Sequence, residues 1–502
     1  MTATRFRNFT HPRTGWLFGL GPSQLAIIIT ASFPIWISLS NQRWAAVGMF
    51  ILVWGLVVVL TAVPLGGRSS TGWMIAAATF AIASLTRWST FSSKAEQGRL
   101  RNLEEVDMPG VLAGVEILEG PPVGGAQRRM AVIKNTAART WAITAQLSHN
   151  GTAMADEHEL ARYTAGLTAL VDVAAQGELV QEIHLMVRVT PDDCAERELW
   201  LRDHITNNAP ETSTATNIEL LRWAQAGCRT EAFLTLVIPD SRLGREAKHL
   251  GGQLAGRMNT LVTVATEIDA VLTGAMGATD VAWLTSPELA AVVRTGFAPA
   301  DRAALIHARH LQSQDEAVVT DVPWSLAGPT HATSAIRHYS HDAWHTITTT
   351  LKLPEKGTTM GALGAVLAPS QPIERRSITV VFPIEKQSAA DRKASQAEFT
   401  TSLGQELRDR LGIRTGVRDR RNRDKVDQVE NQLAMGATLV HPYVVCSTTV
   451  TQTAPINEYG RRLDATIRQA GFAPQRLDMS QDSAFVTATI PLGISLARRG
   501  WL

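Results

Sequence analysis

Along roughly the first 90 residues the apolar positions come in unbroken runs, whereas further along they alternate or recur at helical spacing. Residues 44–63 carry no charge for 20 positions, after which Pro64, Gly66 and Gly67 interrupt the run and Arg68 restores charge. At 1.5 Å per helical residue such a run is about 30 Å long, the thickness of a bilayer core. Residues 23–40 form a second uncharged run of 18 residues, broken only by Pro34, which membrane helices tolerate. With 41–43 as a tight polar joint, the two runs predict a transmembrane helical hairpin. A third stretch, about 72–86, is too short to span unaided and predicts an interfacial segment. A cleaved signal peptide would end in a small-residue site after one short apolar core, and here a second run follows at once.

Beyond the hairpin the periodicity changes. Residues 141–148 alternate as a half-buried strand does, and 157–175 are apolar at helical spacing. A strand is predicted over 182–193, helices over 195–204 and 217–227, and a strand over 232–240. A helix from 242 to about 266 and an extended piece near Val281 follow. The same order returns from His345: strand 345–353, helix 360–368, strand 376–384, helices 389–411 and 418–435, strand 438–450, helix 456–470 and an extended piece at 483–492. The repetition predicts two duplicated α+β modules, with helices packed against one face of a mixed sheet. The expected organisation is a membrane-anchored α+β protein. Residues 1–103 form the membrane domain (spans about 23–40 and 44–63), 104–285 the first module, 286–341 a helical and polar connector, and 342–502 the second module.

Charge sets the expected orientation. Arg5, Arg7 and Arg13 precede the first run, Arg43 stands alone at the hairpin tip, and Arg68, Arg87, Lys94, Arg99 and Arg101 follow the second. The positive-inside rule then gives a two-pass protein of the inner membrane with both termini cytoplasmic. Trp16, Trp44, Trp73 and Trp88 are placed to serve as membrane-interface anchors. A formal net charge of +2 excludes a globally basic, nucleic-acid-coating chain. Cys194, Cys228 and Cys446 are far apart and odd in number, as free thiols of a reducing compartment are.

Searches for catalytic patterns point away from an enzyme. No phosphate-cradling G-x-x-x-x-G-K-[ST] occurs, and the glycines of 124–129 and 360–366 lack the lysine such a loop needs. His338, His341, Asp342 and His345 fall close together, but on a strand lead-in their side chains alternate rather than converge on a metal. "GISLA" at 493–497 lacks the second glycine of a nucleophile elbow, which leaves Ser495 without a triad. No catalytic, cofactor or metal site is therefore expected. The one strong charge run is 414–425, and Arg418, Arg420, Arg421 and Arg423 are its candidate contacts to anionic lipid or to an acidic partner. A solvated tip between two helices is the competing reading of the same run. The absence of interleaved aromatics argues against direct nucleic-acid binding.

Several segments carry a family resemblance: "GPSQLAII" at 21–28, "PLGGRSSTGW" at 64–73, "LTSPELAAVVRTGFAPADR" at 284–302, "AGPTHA" at 327–332 and "DSAFVTATIPLG" at 482–493. With the hairpin and the duplicated modules, they resemble actinobacterial membrane proteins encoded in conjugative-element and type IV secretion gene sets, with a PrgI-like N-terminal hairpin. The modules also look like the non-motor N-terminal half of the conjugation ATPase. The resemblance implies a non-enzymatic inner-membrane scaffold that docks the secretion ATPase at the cytoplasmic face, among other secretion subunits and in a possible homo-oligomer. The alternatives are an EccE-like membrane component of type VII secretion and a membrane-anchored enzyme.

Overall fold

Threonine and valine are the commonest residues of the strands, as suits side chains that are stiff at χ1 and fit a pleated surface. A computed structural model describes residues 5–6, 22–62, 64–65, 68–86, 88–125, 127–152, 154–206, 208–224, 227–354, 357–359, 361–371, 373–384, 438 and 440–496. Its elements begin with β1 (Arg5–Phe6), α1 (Pro22–Ser40), α2 (Trp44–Ala62), β2 (Pro64–Leu65), β3 (Arg68–Ser69), α3 (Ser70–Leu85) and β4 (Thr90–Ser92). There follow β5 (Val115–Val123), β6 (Arg128–Asn135), β7 (Thr140–Ser148), α4 (Glu157–Gln176), β8 (Glu182–Pro191), α5 (Ala195–His204), α6 (Glu211–Ala224) and β9 (Cys228–Pro239). Next come α7 (Asp240–Glu246), α8 (Gln253–Gly274), β10 (Asp280–Trp283), α9 (Ser286–Phe297), α10 (Asp301–Gln314), α11 (Trp324–Ala327), β11 (His331–Ser334) and β12 (Tyr339–His341). The chain continues through β13 (Trp344–Lys352), β14 (Thr358–Thr359), α12 (Gly364–Leu367), β15 (Arg375–Pro383), β16 (Tyr443–Thr451), α13 (Ile456–Gln469), β17 (Ala473–Arg476) and α14 (Gln481–Thr489).

Two compact units result. The larger comprises Met1–Arg7, Thr86–Glu385 and Val440–Leu496, and the smaller Asn8–Leu85, Lys386–Leu439 and Ala497–Leu502. The larger unit is built on one 13-stranded sheet ordered β4-β11-β12-β13-β16-β15-β8-β9-β7-β6-β5, with β10 added to β7 and β17 to β13. Outward from the central β15–β8 pair the two halves match strand for strand: β8-β9-β7-β6-β5 on one side, β15-β16-β13-β12-β11 on the other. Trp141 near the start of β7 and Trp344 at the start of β13 occupy corresponding places, opposite Ile238 of β9 and Thr451 of β16.

Three features of the expected fold are corrected. Every strand pairing among the described residues is antiparallel, so the sheet is not mixed. Helices cover both faces, because alternate residues of the central strands are buried on opposite sides. Ala131, Ile133, Ala142, Phe233 and Val237 meet α9 and α14 on one face. Val132, Ile143, Leu234 and Leu236 meet α4 and α8 on the other, where Ile378, Val444 and Cys446 meet α13 in the second half. Finally, residues 483–492 are not extended but lie largely in α14, their β-branched residues drawn into a helix by complete burial.

In the smaller unit α1 and α2 are each 19 residues and are joined by a turn with Gln42 at φ 53°. The Trp54 indole donates to the Ile28 carbonyl at 3.0 Å. Among the described residues no helix is long and apolar enough to cross a membrane. The transmembrane hairpin, the two-pass topology and the inner-membrane localisation drawn from sequence are corrected accordingly. Phe33, Trp36, Trp44 and Leu52 are exposed in this unit.

Candidate functional site: the buried seam between the repeats

The central strands carry an unusual load for a sheet interior. Arg188 of β8 and Arg375 and Arg376 of β15 are each about 1% exposed, among the largest fully buried side chains of the molecule. Antiparallel register sets Ser377 opposite Arg188 and Arg376 opposite Val189, so the three arginines stand on the strands where the two halves meet, Arg188 and Arg375 on one face and Arg376 on the other. A buried charge is costly unless something compensates it. Each arginine has a different compensation.

Arg188 has a carboxylate. Its Nη2 and Nε lie 2.7 and 3.1 Å from Glu231 Oε2, and its guanidinium stacks 4.8 Å from the centroid of Phe233. Burial opposes ionisation of Glu231, but the adjoining Arg188 outweighs it and holds the carboxyl below its ordinary range. From there an ion network runs to the surface: Arg229 to Glu231 at 3.7 Å and to Glu196 at 3.0 Å, then Arg302 to Glu196 and, at 2.5 Å, to Asp193. It joins β8, β9, α5 and α10.

Arg376 turns to the opposite face. It donates to Glu374 at 2.8 Å and to the Val366 carbonyl at 3.1 Å. Glu374 also accepts from Thr448 at 2.6 Å and from the Ser370 backbone at 2.6 Å, so both charges are buried and paired.

Arg375 has no carboxylate among its bonded partners. Its Nη1 donates to the carbonyls of Thr295 at 3.0 Å and Gly296 at 2.7 Å, and its Nη2 to Thr449 Oγ1 at 3.2 Å. Those carbonyls belong to the last turn of α9, which has no intrahelical donors left and carries the negative end of the helix dipole. Burial lowers the Arg375 guanidinium to about 9, with Arg188 pushing the same way and Glu231 opposing. His341 completes the cap: its Nδ1 lies 2.7 Å from the Phe297 carbonyl and its Nε2 2.8 Å from Thr346 Oγ1. Burial, aided by Arg375, holds His341 well below the ordinary imidazole range, against the pull of the Phe297 carbonyl.

The start of α9 is fixed as firmly. Thr285 and Glu288 form a capping box, with Thr285 N donating to Glu288 Oε2 at 2.9 Å. Gly296 lies where a Cβ would meet Ile490 Cδ1 at 2.5 Å and Arg188 Nη1 at 3.1 Å. Opposite α9 a layer of hydroxyls closes the seam: Ser377 to Ser447 at 2.5 Å, Thr346 to Thr449 at 2.8 Å, and Thr379 to the Ala488 carbonyl at 3.1 Å. Gln481 of α14 accepts from Thr348 N at 2.8 Å and donates to Thr348 O at 3.1 Å, extending the ladder of β13 by a side chain. The segment after α14 then crosses to the first half, where Thr144 donates to the Pro491 carbonyl at 2.8 Å. Gly493, at φ 71°, lets the backbone lie against Val237 and Ala142.

The sites expected from sequence fall elsewhere. Arg418, Arg420, Arg421, Arg423 and Trp16 lie outside the described residues. Trp44 opens α2 and is exposed, Trp73 falls within α3, and Trp88 is 77% exposed. Of the histidine cluster, His341 is spent on α9, Asp342 pairs with Arg294 at 3.2 Å, and His338 and His345 meet edge to face at 4.9 Å. No group of side chains suited to a metal occurs among the described residues. Ser495 is buried, with its hydroxyl 3.0 Å from that of Tyr443. The buried arginines were missed by the periodicity analysis. Their only signal was the run of threonines and serines on β13 and β16, which predicts a polar layer wherever such a strand is central.

No protein-family model matches this chain, and no curated protein matches it.

Proposed function

We propose that the chain is a non-enzymatic scaffold subunit of a type IV secretion (conjugation-like) apparatus, one that docks the secretion ATPase. The observation that carries this reading is the commitment of the buried charges. Arg188, Arg375 and His341 spend their donors on α9 carbonyls, Glu231 and neighbouring hydroxyls, tying two halves of one sheet together. Such a seam suits a rigid platform, since buried polar networks favour one packing arrangement, although the Arg375 Nε within it is left without a partner. The resemblance of 284–302 and 482–493 to proteins of conjugative elements supports the same reading, because these two segments supply α9 and α14, the helices that close the seam.

The test is direct reconstitution. The full-length chain is expected to co-elute with a conjugation-type ATPase of the same apparatus, and to bind it without nucleotide. Failure to bind the ATPase or any other subunit of that apparatus in purified form would remove the proposal. A nucleotide-hydrolysis rate lost on mutating a residue of this chain would do the same.

A further inference from the structure

The two halves of the sheet end differently. Asp107-Met108-Pro109, two further residues and Leu112-Ala113-Gly114 lead into β5; Asp321-Val322-Pro323, two further residues and Leu326-Ala327-Gly328 lead into β11. The shared motif gives β11 the place in the second half that β5 has in the first. Yet β11 carries β4 on its outer side, whereas β5 is the last strand on its own. The register shows which groups this leaves open. Thr136 N donates to Gly114 O at 2.9 Å, while Ala131 N turns the other way, to Leu284 O at 2.8 Å. Bonding groups point alternately to either side along an antiparallel strand. Glu116 and Leu118 therefore bond toward β6, and Val115, Ile117 and Glu119 direct their N–H and C=O groups outward. Among the described residues nothing bonds to those outward groups. The open rung ends at Glu119, where a bulge and then Pro121 and Pro122 interrupt the strand.

Alongside β11 the matching rung is Thr330, Ala332 and Ser334, and the chain fills it itself. Ser93 N donates to Thr330 O at 2.9 Å, Phe91 stands opposite Ala332, and Ser334 N donates to Ser89 O at 2.8 Å. We infer that the open rung of β5 receives an extended segment of a partner protein, added antiparallel as β4 is added to β11. The side chains set the chemistry of that segment. Ile117 packs against the same apolar cluster as Phe91, so the residue opposite Ile117 is apolar or aromatic. Glu116 is engaged by Lys134 at 2.7 Å, but Glu119 is exposed and in no ion pair among the described residues. The residue opposite Glu119, two positions before the apolar one, is therefore Lys or Arg. In strand addition the main-chain bonds supply affinity and the alternate side chains supply selectivity.

The probe is a labelled peptide of residues 88–94 carrying Ser89→Lys, added to the purified full-length chain. Binding is expected in fluorescence anisotropy, together with slowed hydrogen exchange at the amides of Val115, Ile117 and Glu119. Methylating the peptide nitrogen of Phe91, which would face β5, should abolish binding, whereas methylation at Thr90, which would face away, should not. In the full-length chain Ile117→Pro removes an outward donor that an edge strand can spare, and should weaken binding at least about tenfold. Glu119→Lys should weaken it about fivefold or more, and a peptide carrying Ser89→Glu should recover the loss. If neither peptide binds, the inference is wrong. Binding that survives both Ile117→Pro and Glu119→Lys overturns it equally, because the peptide has then settled elsewhere, for instance by displacing β4 from β11.

Discussion

Arg375 shows how one side chain can be indispensable without touching a ligand. Its charge answers the dipole of α9 rather than a carboxylate, so its removal strands the Thr295 and Gly296 carbonyls in a dry interior. Arg375→Ala is expected to cost roughly 2–4 kcal/mol, measured by urea denaturation of the full-length protein. His341, which caps the same helix end, makes stability depend on pH. The unfolded chain binds a proton there near the ordinary value of about 6.5, whereas the folded chain resists protonation until lower pH. Below about pH 6.5 the unfolded state therefore holds more protons, and stability falls with pH by at most about 1.4 kcal/mol per unit. Above that value the contribution is flat. Denaturation midpoints between pH 5 and 7.5 check this, and His341→Gln should be less stable but should lose this part of the slope.

At the level of elements, two helix boundaries were legible although neither N-cap side chain bonds its helix. Helix α5 begins and ends where the periodicity places it, and α13 differs by one residue at its end. Strands β5 and β6 were missed because they alternate weakly and carry charge or proline, as edge-ward strands do, and β11 and β12 because they are only four and three residues long. The continuous apolar run of β9 was the clue that both faces are covered, since a one-sided sheet alternates. Close helix packing brings its own prediction. A Cβ at Gly166 of α4 would meet the Ala275 carbonyl oxygen at 2.5 Å and Met276 Cα at 2.9 Å, both backbone atoms. Gly166→Ala gains up to about 1 kcal/mol in helix propensity but overpacks by about 1–3 kcal/mol. A net loss of stability is expected in thermal unfolding, and equal or higher stability would contradict the packing described.

For the whole molecule the repeated order of elements pointed to two halves, but the way they join was not legible, and the helices expected over 389–411 and 418–435 lie outside the described residues. The sequence pattern suggested two modules, whereas β8 and β15 pair along eight residues and join both halves into one sheet. No local signal marks that pairing, because it depends on strands almost two hundred residues apart. The halves also exchange cover. Ile490, Leu492 and Ile494 pack with Ala142, Phe233 and Val237 of the first half. Deleting residues 490–502 is therefore expected to speed hydrogen exchange in β7 and β9, far from the deletion in sequence, while β13 and β16 change less. Uniform protection across all four strands would count against the exchange of cover.

That crossing has a consequence in time. During synthesis the strands of the first half emerge early, yet the segment that seals one of their faces emerges some 250 to 350 residues later. At about 5–20 residues per second the delay is roughly 13–70 s. For that interval Ala142, Phe233 and Val237 lack part of their native lid. The nascent chain is consequently a client for whatever binds exposed apolar strands on the ribosome, and its first half matures only when nearly the whole of the second has been made.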